Sequence, residues 1–105
     1  MTVRIRENTM LAKVAARAMK ADKIAIVLGR NIHLHNTSKE EFLQNRRWVR
    51  HEIAHVKQFE QHGYVKFIAA YLLESFNKGY EFNKYEVEAR KKEKDESILS
   101  GIVLQ

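Results

Sequence analysis

The sequence predicts an α+β fold in which a short sheet of three strands is combined with about four helices in a single domain over residues 1–105. Three observations lead there. Strand-type patterning is confined to the residues before Asn36, helical periodicity fills most of the chain beyond it, and 105 residues with 45% apolar content can bury one core but not two.

The elements follow in order. Val3-Arg4-Ile5 alternates apolar and polar residues, which suits a short strand. Leu11, Val14, Ala15, Ala18 and Met19 recur at helical spacing, with Asn8 or Thr9 available as N-cap. Ile24-Ala25-Ile26-Val27-Leu28 is a continuous β-rich run, Gly29-Arg30-Asn31 a turn and Ile32-His33-Leu34-His35 an alternating strand, so the two pair as a hairpin. Ser38 and Glu41 stand at capping-box spacing and open a second helix that should stop near Gly63. The helix after it, about 64–78, holds Val65, Phe67, Ile68, Ala69, Ala70, Tyr71, Leu72, Leu73 and Phe76. Apolarity this broad predicts the most buried helix of the domain. Gly79 ends it, and a last helix begins near Asn83 and runs into the charged stretch from Arg90 to Glu96. The apolar tail from Ile98 to Leu104 is expected to fold back onto the core, where it would give the first helix a partner.

The second helix carries His51-Glu52-Ile53-Ala54-His55. Positions i and i+4 lie about 40° apart around a helix, so both imidazoles can aim at one point, as two ligands of a Zn²⁺ do. Glu52, about 100° round from His51, points to where a water beside the metal would sit and can take its proton. Phe42, Leu43, Trp48, Val49, Ile53, Ala54, Val56 and Phe59 recur at helical spacing around the motif, so the helix is packed against a core. Cysteine is absent, so zinc would be held by nitrogen and oxygen alone.

A catalytic zinc needs a third protein ligand and an open fourth position. The run from Asn83 to Arg90 offers Glu86 and Glu88, which face roughly opposite sides of a helix, so only one can serve. Ala89 shares a face with Glu86 and allows a close approach to the metal helix, which favours Glu86. Asn83 and Glu86 also stand at capping-box spacing, a reading that leaves Glu88 as the ligand.

These residues resemble a known family. The zinc-dependent peptidase-like proteins of the gluzincin group, among them the small bacterial domain at the core of extracellular contractile injection systems, combine H-E-x-x-H with a later E-x-x-A. Both pieces stand here, as His51 to His55 and as Glu86-Val87-Glu88-Ala89. The stretch from Ile24 to Leu34 is similar to that family's strand, glycine, strand element ahead of the metal helix. The resemblance implies a minimal zincin-like α+β fold, peptide-bond hydrolysis with Zn²⁺, Glu86 as third ligand and Glu52 as catalytic base. Many relatives have Asp or Asn after the alanine, where this chain has Arg90, and some have Pro in place of Lys84.

Other features set the alternatives. If the strand holding His33 and His35 is the sheet's edge beside the metal helix, it can bind an extended peptide by strand addition. The two histidines themselves read as solvent-facing or hydrogen-bonded rather than as ligands. Tyr80, Tyr85 and His62 are candidate oxyanion donors. A net charge of +6, with Arg46, Arg47, Arg50 and Lys57 near the metal helix and Arg90, Lys91, Lys92 and Lys94 later, would suit nucleic acid. Glu93 and Glu96 interrupt the basic run and no nucleic-acid motif is present, which argues against it. An inactive zinc-binding scaffold that meets a partner protein is the main alternative to a peptidase acting on peptides or proteins. Met1 to Arg6 lacks a signal-peptide core and no apolar run can span a bilayer, so a soluble, cytoplasmic protein is expected.

Overall fold

The computed structural model describes residues 1–105. The chain runs β1 (Thr2–Glu7), α1 (Met10–Met19), β2 (Ile24–Leu28), β3 (Asn31–His35), α2 (Lys39–Gln44), α3 (Arg46–His62), α4 (Tyr64–Phe82) and α5 (Lys84–Lys92), then a 3-10 turn (Glu96–Leu99) and β4 (Val103–Leu104). The sheet has four strands in the order β2-β3-β1-β4. The hairpin of β2 and β3 is antiparallel, whereas β1 lies parallel to both β3 and β4. An α+β fold is therefore observed.

Alternation along the strands decides which helix covers which face. Ile24 and Ile26 point toward α1 and pack with Ala12, Ala15 and Ala16. Val3, Ile5, Ile32 and Leu34, with Ala25 and Val27, point the other way, into the main core with Phe42, Val49, Ile53 and Val56. The sheet is thus covered on one side by α1 and on the other by α2 and α3.

Several expectations are corrected. The sheet gains a fourth strand because the tail folds back beside β1, with Ile98 entering the main core; it does not cover α1, whose partners are β2 and β3. The expected second helix is two helices. Ser38 and Glu41 form the capping box at its start, but Asn45 leaves helical geometry (φ −89°, ψ 86°) and its side chain accepts from Trp48 N at 3.2 Å. H-E-x-x-H therefore lies on the third helix, which starts from its own cap at Asn45 and ends at Gly63 (φ 88°).

α4 departs most from expectation. Phe67 is buried, but Val65 is 76% exposed, Leu73 62% and Phe76 89%. A helix apolar on all sides is buried only where neighbours cover all sides. Here α3 and α5 pack on it from within the domain, and its other face is left outward. Gly79 (φ 79°) breaks the helix, and Asn83, fully buried, caps α5 through Tyr85 N at 2.9 Å while holding Tyr71 O at 3.0 Å and Ser75 Oγ at 2.8 Å. That junction ties the start of α5 to α4.

The edge of the sheet is also different from the expected one. β3 is paired on both sides, so the free edge beside α3 is β2. His33 is bonded to Thr9 Oγ1 at 3.1 Å, and burial lowers its pKa. No helix is long and apolar enough to cross a membrane.

Candidate metal centre

His51 and His55 emerge one turn apart from α3, and α5 brings Glu86 up to both of them. Ala89, fully buried, shares the packed face of α5 with Glu86 and keeps the two helices close. Glu86 Oε1 lies 3.0 Å from His51 Nε2 and 3.1 Å from His55 Nε2. The donor atoms of the three residues all fall within 4.8 Å of one another. Glu86 is at the N3 position behind the Asn83 cap, but its carboxylate is turned to the imidazoles rather than back to the Asn83 backbone. Glu88 goes elsewhere: its Oε1 accepts from Gln58 Nε2 at 2.7 Å.

The outer nitrogens of both rings are also engaged. His51 Nδ1 is 2.8 Å from Glu93 Oε2, and His55 Nδ1 is 2.8 Å from Gln58 Oε1. Both partners present oxygen acceptors, so both Nδ1 atoms carry hydrogen. Each Nε2 meanwhile faces the Glu86 carboxylate, which also only accepts. Without a metal the arrangement is satisfied only if both imidazoles are protonated, and a divalent cation held by His51, His55 and Glu86 would replace those two charges with one ion. The spacing suits this, because tetrahedral zinc with bonds of about 2.0–2.1 Å sets its donors ~3.3 Å apart. The residues present therefore fit a metal ion. The hydrogen bonds from Nδ1 to outer oxygens are those that orient metal-bound histidines elsewhere.

The electrostatics of the metal-free site follow the same logic. Burial alone would lower the pKa of His51, but its bonds to Glu86 and Glu93 and the nearby Glu52 charge raise it to about 9. His55 is likewise raised, against burial, chiefly by Glu86. Burial would raise Glu86, yet its hydrogen bonds with His51 and His55 hold it far below the usual carboxylate range. Glu52, only 6% exposed, is pushed up to about 7 by burial despite the pull of His55 and His51.

These groups stand at a cleft of about 670 Å³. α3 contributes Trp48, His51, Glu52, His55 and Phe59; α4 contributes Phe67, Ile68, Tyr71 and Leu72. All five residues of β2 line it as well. Successive strand residues point to opposite faces, so five in a row can border one cleft only along the strand's free edge.

Of the tyrosine and histidine candidates, Tyr80 lines the cleft beside Glu86. Tyr85 and His62 belong to an aromatic cluster with Phe67 that joins α3, α4 and α5. Tyr71, not singled out from the sequence, donates its hydroxyl to Glu86 Oε2. Burial and the Glu86 charge raise its pKa well above the usual phenol, so it remains a donor. Glu93, which in the sequence only interrupts a basic run, braces His51 from seven residues beyond Glu86. Arg90 donates to the Glu81 carbonyl. The spacing of Gln58, three residues after His55 on one helix face, was the one available signal for its role. Among the basic residues of α3, Arg47 pairs with Glu93 at 3.0 Å.

Fold and site together define an α+β domain whose His, His, Glu cluster is able to hold a metal ion. The chain belongs to the eCIS core domain family, whose model matches residues 1–63. The match spans β1 to α3, with His51, Glu52, His55 and Gln58, while Tyr71, Glu86, Glu88 and Glu93 lie beyond it. No curated protein sequence and no solved structure matches the chain.

Proposed function

We propose that the domain binds one Zn²⁺ through His51, His55 and Glu86 and acts as a zinc-dependent peptidase of gluzincin type, with Glu52 as general base. The observation that supports this most directly is the convergence of three ligand-type side chains and one buried, non-ligating carboxylate at a cleft bordered by a free strand edge. Bound zinc would supply Lewis acidity, polarising a substrate carbonyl and acidifying water.

The chain's own residues do the rest. An extended peptide adds to the open edge of β2 through main-chain hydrogen bonds, and the apolar walls from α3 and α4 receive its side chains. Glu52 takes a proton from the attacking water and returns it to the leaving nitrogen. Tyr71 holds Glu86 Oε2, which leaves Oε1 directed at the two imidazoles. Tyr80, in the cleft and kept protonated by burial and the Glu86 charge, is the candidate donor to the oxyanion. A domain of this size offers little surface to hold a substrate in register, so slow turnover is expected.

The test compares wild type with Glu52→Gln. Both proteins should retain about one zinc per chain by elemental analysis, and only wild type should cleave a diverse peptide library read by mass spectrometry. Cleavage that persists in Glu52→Gln refutes the role of Glu52. Zinc retained with no cleavage by either protein refutes the peptidase and leaves a zinc-stabilised scaffold.

A further inference from the structure

Taking His51, His55 and Glu86 as the metal ligands, as proposed above, we infer that Gln58 and Glu88 form a brace that fixes the ring and tautomer of His55, which makes both of them positioning residues of the metal centre.

Gln58 is 2% exposed, on the same face of α3 as His55 and one turn further on. Its amide has three partners: Oε1 meets His55 Nδ1 at 2.8 Å, and Nε2 donates to Tyr85 O at 3.1 Å and to Glu88 Oε1 at 2.7 Å. A carbonyl and a carboxylate can only accept, so the NH₂ end must face α5 and the oxygen must face His55. His55 Nδ1 is then obliged to carry hydrogen, and Nε2, directed at Glu86 and the metal position, is the nitrogen left to give up its hydrogen when a metal binds.

An amide turned the other way would donate to Nδ1, move the ring hydrogen to Nε2 and block coordination. It would also set the amide oxygen against two acceptors. His51 needs no such device, because Glu93 is a carboxylate and accepts in either orientation. A neutral amide orients a histidine only when it is itself oriented, and Glu88 with the Tyr85 carbonyl does this. α5 thus delivers the third ligand from Glu86 and, from the other side of its axis, the anchor of the second ligand's brace. Glu88 is exposed, so its part is separable from packing.

The experiment measures zinc affinity by competition with a chromophoric chelator, together with long-range ¹H–¹⁵N spectra of the His55 ring in zinc-loaded protein. Gln58→Leu keeps the apolar bulk without the amide and should weaken zinc by about 10–100-fold. Glu88→Lys should weaken it by about tenfold, and Glu88→Gln, which keeps an acceptor oxygen, by no more than about threefold. In zinc-loaded protein the His55 ring of wild type should show a single Nδ1–H form, and in Glu88→Lys that Nδ1–H signal should weaken. If Gln58→Leu does not fold, Glu88→Lys decides alone. Wild-type affinity in Glu88→Lys together with an unchanged His55 spectrum overturns the brace. Equal weakening in Glu88→Gln and Glu88→Lys overturns it as well, since charge rather than amide orientation would then be the cause. A wild-type protein that takes up no zinc overturns the ligand assignment itself, which is a distinct result.

Discussion

Glu86→Gln separates a ligand from a cap more directly than any other change. The carboxylate has one oxygen 3.0 Å and 3.1 Å from the two imidazole nitrogens and the other accepting from Tyr71, so the amide that replaces it keeps volume and helix position while removing the charge. If zinc binding of about 10 kcal/mol is shared among three protein donors, each accounts for ~3 kcal/mol, or a factor of about 10² in Kd. Glu86→Gln should therefore weaken zinc about 10²-fold, and Glu88→Gln should remain near wild type. The assay is chelator competition on protein stripped of metal and reloaded with zinc. If Glu88→Gln proves the more damaging of the two, α5 meets α3 in a register two residues away from the one described. Equal and small effects would mean that the third ligand is another residue.

Two further outcomes rest on the same geometry. In metal-free protein the pKa of His51 is raised from 6.5 to about 9, so its stabilising contribution is full below 6.5 and is lost as pH rises through 9. Glu52, raised from 4.5 to about 7, acts in the same direction over its own range. The thermal midpoint with chelator present should fall between pH 6.5 and 9 while that of zinc-loaded protein does not; a metal-free midpoint that rises over this window would contradict the site's charge pattern. Asn83→Ala removes the α5 cap and strips partners from Tyr71 O and Ser75 Oγ, and should cost about 2–3 kcal/mol in urea unfolding, against which an effect below about 0.5 kcal/mol would count.

Much of the local structure was legible because it rests on near neighbours in sequence. The hairpin from Ile24 to His35, the Ser38 and Glu41 capping box, the Thr9 cap and the stops at Gly63 and Gly79 are all short-range events. The break at Asn45 is hidden in the sequence because the apolar period from Phe42 to Phe59 runs through it almost without a change of phase. α4 differs from expectation because its composition says how apolar the helix is and nothing of how many neighbours will cover it.

For the site, H-E-x-x-H by itself determined that His51 and His55 share a helix face and that Glu52 lies beside them, since a single turn of helix admits no other arrangement. Composition determined that any metal there is held by nitrogen and oxygen. Tertiary structure decided what lies across more than one helix. It turned Glu86 to the histidines and Glu88 to Gln58, brought in Tyr71 and Glu93, and set β2 rather than β3 along the cleft. Each of these depends on how α5 and the sheet pack against α3, to which the buried Ala89, the Asn83 link between α4 and α5 and the parallel pairing of β1 with β3 contribute. Such contacts join residues dozens of positions apart, where no spacing along the chain records them.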